Sequence, residues 1–86
     1  MININDLTIT SLQFQANLYS MRMDYDTSGN ITYIGFAKPG STEDKPVWAI
    51  KKLEYDDNGN LIAVKWAEGN NNFDKIWNNR TTYSYS

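Results

Sequence analysis

Apolar residues occupy every second position in Leu12, Phe14, Ala16 and Leu18, and again, one position out of step, in Met21, Met23 and Tyr25. A period of two is the mark of a strand with one face toward a core. The same rhythm returns in Ile34 and Phe36, in Leu53 and Tyr55, and in Ile62, Val64 and Trp66. Met21, Met23, Tyr25, Ile34, Phe36, Leu53, Tyr55, Ile62, Val64 and Trp66 are the predicted core, and Leu12 to Leu18 are predicted to extend the first strand. Long helical periodicity is absent, and Asn, Thr, Ser and Tyr outnumber Ala and Leu, so the pattern predicts an all-β chain.

The alternating runs belong to an internal repeat offset by thirty residues: Leu18 to Lys38 reads LYSMRMDYDTSGNITYIGFAK, and Trp48 to Glu68 reads WAIKKLEYDDNGNLIAVKWAE. Tyr25/Tyr55, Asp26/Asp56, Gly29/Gly59, Asn30/Asn60 and Ala37/Ala67 coincide, and Met23/Leu53, Ile34/Val64 and Phe36/Trp66 are conservative pairs. In each copy a Tyr-Asp-x-x-Gly-Asn segment separates two runs and supplies the local hydrogen bonds and positive φ of a tight hairpin. Two β-hairpins are predicted, packed as a small antiparallel sandwich or barrel. The apolar parity shifts between Leu18 and Tyr19 and between Ile50 and Leu53, which predicts a β-bulge in each outgoing strand.

Between the hairpins, Lys38 to Pro46 (KPGSTEDKP) holds two prolines and predicts an exposed loop. Phe73, Ile76 and Trp77 stand at helical spacing and predict one short helical turn, while TTYSYS at Thr81 to Ser86 predicts a short strand with Tyr83 and Tyr85 on one face. Ile2, Ile4, Leu7 and Ile9 form a shorter apolar pattern broken at Asn5-Asp6, so residues 1–11 are predicted to be an edge strand or a swapping arm.

A chain of 86 residues suffices for one domain, 1–86, with a thin core. No cysteine is present to staple it, which makes oligomerisation an attractive way to bury more surface. The start has neither a basic leader nor a long apolar run, which predicts synthesis in a cytoplasm and no membrane partner. The triplets Asn30-Ile31-Thr32 and Asn79-Arg80-Thr81 therefore read as turn chemistry rather than sugar acceptors. The net charge is −2 and the eight Lys and Arg residues are scattered, so the basic face that nucleic acid requires is not indicated.

Histidine is absent as well as cysteine, which removes the commonest general base, the Cys–His nucleophile pair and the commonest zinc ligands. The acidic residues lie mostly in turns and the connecting loop, where paired, environmentally separated carboxylates are not expected. The expectation is a chain that is not an enzyme and carries no cofactor. Calcium is the residue-level alternative: Asp24, Asp26 and Ser28 precede Gly29 at alternate positions, as Glu54, Asp56 and Asn58 precede Gly59. The twelfth position of such a loop, where a bidentate glutamate belongs, is Gly35 in one copy and Lys65 in the other. Half a loop offers too few oxygens, and an ordinary hairpin turn accounts for the same residues. Trp48, Trp66 and Trp77 could serve a core, a sugar platform or an interface. Trp66 and Trp77 are expected in the core, whereas Trp48, with Phe14, Tyr83 and Tyr85, is an interface or ligand candidate.

From Tyr33 to the end, the chain resembles small uncharacterised proteins encoded among the virion genes of tailed bacteriophages. The resemblance rests on Gly35-Phe36-Ala37, Pro39-Gly40-Ser41, Trp48-Ala49-Ile50-Lys51-Lys52, Tyr55-Asp56 with Gly59-Asn60, Trp66-Ala67, and Phe73-Asp74-Lys75-Ile76-Trp77-Asn78-Asn79-Arg80. It implies a virion structural or accessory component in a head, neck or tail, with other virion proteins and further copies of itself as partners. It implies no catalytic residues. The alternatives are a carbohydrate-binding module for host attachment, with a glycan as partner, and a calcium-stabilised β-module.

Overall fold

The structure, a computed structural model, describes residues 18–86. The apolar pattern from Ile2 to Ala16, and with it Phe14, lies outside the described residues. Four strands form an antiparallel meander in chain order: β1 (Ser20–Tyr25), β2 (Ile31–Ala37), β3 (Pro46–Tyr55) and β4 (Leu61–Trp66). A two-residue strand, β5 (Lys75–Ile76), pairs with the start of β3, and a 3₁₀ helix (Trp77–Thr82) follows it. The chain is thus all-β with one short helical element near its C-terminus. The sheet is open rather than closed into a barrel.

The two hairpins are built alike down to individual hydrogen bonds. In the first, Asp26 N–H donates to Asn30 O at 2.9 Å and Gly29 N–H to Asp26 O at 3.1 Å; in the second, Asp56 N–H donates to Asn60 O and Gly59 N–H to Asp56 O at the same distances. Gly29 and Gly59 take φ of 85° and 82°, a region that a side chain disfavours. Each hairpin carries one register shift, between Asp24 and Tyr25 and between Glu54 and Tyr55. The extra residues are Thr32 and Ile62, so the irregularities sit beside the tips and on the returning strands, not in the outgoing strands. The parity change between Ile50 and Leu53 has a different cause: β3 is covered on both faces at its start, where Trp48, Ala49 and Ile50 are all buried.

Registry sorts the side chains into two faces. Arg22 pairs with Gly35 and Gly35 with Ile50, which places them on one face with Asp24, Tyr33, Ala37 and Trp48. Met21 pairs with Phe36 and Met23 with Ile34, while Lys51 pairs with Ile34 and Trp66, and Leu53 with Val64; these line the opposite face. The predicted groupings of Met21 with Met23, Ile34 with Phe36 and Val64 with Trp66 therefore hold, but their assignment to the core does not. The buried cluster is Ala37, Trp48, Ile50, Ala67 and Trp77, with Tyr33, Val47, Tyr83 and Tyr85 packed against it. Of the predicted core residues, Phe36 is buried, whereas Met23 is 38%, Tyr25 56%, Val64 48% and Ile62 65% exposed.

The C-terminal segment decides which face closes. After Trp66 the chain turns through Glu68 and Gly69, both at positive φ, and returns beneath the first face. Lys75, buried in this return, is held by Asp74 and by Asn70 Oδ1. Trp77 then lies against Gly35, where a Cβ would stand 2.6 Å from Trp77 Cε3. The helical turn falls on Trp77–Thr82, later than the Phe73-Ile76-Trp77 spacing suggests, because Lys75 and Ile76 are drawn into pairing with β3. Of the predicted terminal strand only a bridge between Tyr85 and Ala67 forms, since Thr81 and Thr82 belong to the 3₁₀ helix. Pro46 opens β3 at its first position, where the missing N–H removes no interior ladder bond.

Candidate functional site

Two surfaces compete for a functional role, and the packing separates them. On the closed face Trp48 is fully buried, tilted against Trp77 with ring centroids 6.1 Å apart, and its Nε1–H donates to Thr42 O at 2.9 Å. It presents no ring to a sugar or a partner, so Trp48, an interface or ligand candidate, is a core residue. Two arginines seal the tryptophan pair. Arg22 lies over Trp48 and bonds Glu43 Oε1 through Nε at 3.0 Å; Arg80 lies over Trp77 and bonds Asp24 Oδ2 through Nε at 2.9 Å. Tyr83 Oη accepts the Ile76 N–H at 2.8 Å, and Tyr85 Oη donates to Arg80 O at 2.7 Å. These two candidate tyrosines therefore hold the C-terminal segment down. Burial pushes the Tyr85 phenol well above its ordinary range, with the neighbouring Tyr33 and Tyr83 acting in the same direction.

The calcium candidates are likewise engaged. Asp26 Oδ1 accepts the Ser28 and Asn30 N–H groups at 2.9 Å, and Asp56 Oδ1 accepts those of Asn58 and Asn60 at 3.0 and 2.9 Å. These bonds hold the Asp56 carboxyl below its ordinary range. Asp24 is paired with Arg80, and Glu54 is shared by Lys65 at 3.0 Å and Lys52 at 3.8 Å. Asp26 and Asp56 therefore work as acceptors inside their own turns. Among the described residues no three carboxylates converge on a point where a cation could sit.

The open face is the remaining candidate. At its β3 start lies a cleft of about 270 Å³ lined by Tyr19, Phe36, Ala49, Lys51, Trp66, Asn71 and Phe73. Tyr19 stacks on Phe73 at a centroid distance of 5.5 Å and meets the Phe36 ring edge-on at 6.3 Å. Lys51 Nζ lies 5.3 Å from the Phe36 centroid and 5.7 Å from that of Trp66. Lys52, Lys65 and Lys75 each reach a carboxylate, whereas Lys51 has none within 4.0 Å among the described residues and lies against the two ring faces. From the cleft the apolar face continues through Met21, Met23, Ile34, Leu53 and Val64 toward the hairpin tips.

Tyr19, Lys51 and Phe73 escape a reading based on pattern. Lys51 does share the parity of Ala49 and Leu53, which is a signal for its face though not for its aromatic neighbours. Phe73 keeps helical spacing with Trp77, yet it lines the open-face cleft while Trp77 closes the other face. Among the described residues, no helix is long and apolar enough to cross a membrane. No protein-family model matches this chain, and no curated protein or solved structure matches it.

Proposed function

We propose that this chain is a non-enzymatic structural or accessory component of a bacteriophage virion, acting by protein–protein assembly in head, neck or tail. The observation that supports the reading is the open face: an aromatic cleft continuous with a sheet surface of Met, Ile, Leu and Val. Monomers seldom leave an apolar patch larger than a few hundred Å² in water, and such patches mark interaction sites. Among the described residues the outer edge of β1 has no strand partner, whereas that of β4 is already bonded at Trp66 to Ser86, so strand pairing along β1 is a second means of contact. The virion setting is supported by the resemblance of Tyr33 to Ser86 to phage virion-gene products.

Light scattering of the purified chain over a range of concentration tests assembly. The expected result is a discrete oligomer whose mass falls when Val64→Lys places a charge on the open face. A strict monomer throughout would overturn self-assembly.

The cleft favours one second reading, a carbohydrate-binding module for host attachment. Aromatic rings beside a cation and the Asn71 amide suit the C–H faces and hydroxyls of a pyranose. Titration with host surface glycans should give an isotherm that Trp66→Ala weakens at least tenfold; an unchanged isotherm would end this reading.

A further inference from the structure

The open face and the sequence of the N-terminal segment are both apolar. The closed face is already filled by the C-terminal return, with Trp77 against Gly35 and Tyr83 and Tyr85 beside it. Residues 2–16 carry Ile2, Ile4, Leu7, Ile9, Leu12 and Phe14, and the open face is the large apolar surface left for them. Reach is ample: fifteen extended residues span about 50 Å, against a face roughly 20 Å long and 15 Å wide from strand rise and spacing.

We propose that residues 2–16 of one copy lie on the open sheet face of a second copy, so that an exchanged arm completes the assembly surface. This deepens the assembly reading above and rests on it. The assembly reading selects the second copy over the same one, because an arm lying on its own sheet would cover the surface that assembly uses. Leu18 lines a shallow groove with Lys38, Val47 and Phe73, at the end of the sheet where β2 stops and β3 begins. A chain arriving there must reverse at once to cover its own sheet. Neither glycine nor proline precedes Gly29, so Asn17 and Ser20 are the turn-favouring residues beside the bend at Tyr19. Tyr19, stacked on Phe73 at the head of the face, marks where the arm leaves one sheet for its neighbour.

The lack of native cysteine makes a clean test. Isotopically heavy Phe14→Cys chain is mixed with light Val64→Cys chain, both otherwise full length, unfolded together, refolded and treated with a short bis-maleimide. The expected product is a heavy–light two-chain species that disappears when the reagent is added in denaturant. A cross-link formed only within one chain, in the doubly substituted Phe14→Cys/Val64→Cys protein, would overturn the exchange and place the arm on its own sheet. No cross-link of either kind in a sample that light scattering shows to be oligomeric would overturn the arm's role while leaving assembly standing. No cross-link in a monomeric sample would overturn both.

Discussion

Gly35 lacks a side chain because the Trp77 ring occupies the place where one would go. An added Cβ would lie 2.6 and 2.8 Å from Trp77 Cε3 and Cζ3 and 3.2 Å from Trp48 Cε3. Gly35→Ala is therefore expected to destabilise by about 1–3 kcal/mol through overpacking, a fall of roughly 4–8 °C in Tm per kcal/mol for a domain of this size. Gly59→Ala meets no atom within 4 Å and suffers only from φ of 82°, so about 1–2 kcal/mol is expected. Thermal melts of the two variants, with near-ultraviolet circular dichroism as a report on the tryptophan pair, separate the causes: only Gly35→Ala should alter the aromatic signal. Tyr85 gives a pH test. Its folded-state pKa is raised, so its contribution is fully present below the ordinary phenol value near 10 and is lost as pH rises beyond it. Urea midpoints should fall above pH 10 more steeply in the native chain than in Tyr85→Phe, which should itself cost about 1 kcal/mol at neutral pH by losing the bond to Arg80 O. Equal slopes would remove Tyr85 from this role.

At the scale of the element, the hairpin tips and the sheet faces were legible in the sequence to different degrees. Asp, Gly and Asn at fixed offsets encode the turn by local bonds, and both copies form it with matching geometry. The repeat does not give its two tyrosines one role. Tyr55, on the inner strand β3, donates from Oη to Ile31 O at 2.7 Å, whereas Tyr25, on the edge strand β1, is exposed. Period two correctly groups side chains by face, but it does not say which face the rest of the chain will cover. That choice was made by residues 70–86, whose long-range contacts, such as Arg80 with Asp24, leave no trace in periodicity. Two predictions belong to this scale. Ile50→Ala, in the closed core, should cost about 2–5 kcal/mol, whereas Ile62→Ala should stay within roughly 0.5 kcal/mol when measured at concentrations too low for assembly; reversed magnitudes would mean that the faces are wrongly assigned. Asp56→Ala should speed amide exchange at Asn58 and Asn60. The Asp56 carboxyl is depressed in the folded state, so the native tip should loosen only as pH falls through that low value, and a chelator should leave it unchanged.

Across the whole molecule, a single open sheet has divided its two sides between stability and contact. One side is roofed by the C-terminal return and sealed by Arg22 and Arg80 over the tryptophans; the other keeps Met21, Met23, Trp66 and Phe73 for something else to cover. A small domain gains by such a division, because surface it cannot bury alone becomes the driving force for assembly. Most of the candidate surface could be read in advance as a strand face, including Met23, Val64 and Trp66. The cleft at its head could not, because Tyr19, Lys51 and Phe73 come together only through the fold.

Oxidative footprinting as a function of protein concentration tests this division most directly, since Met21, Met23 and Trp66 are natural oxidation-sensitive probes on the open face. Labelling of these three should fall as the solution mass rises, while Tyr83 and Tyr85 on the closed side keep the same low reactivity throughout. A rise in mass that leaves Met21, Met23 and Trp66 as reactive as in the dilute chain would contradict the assignment of the open face to assembly.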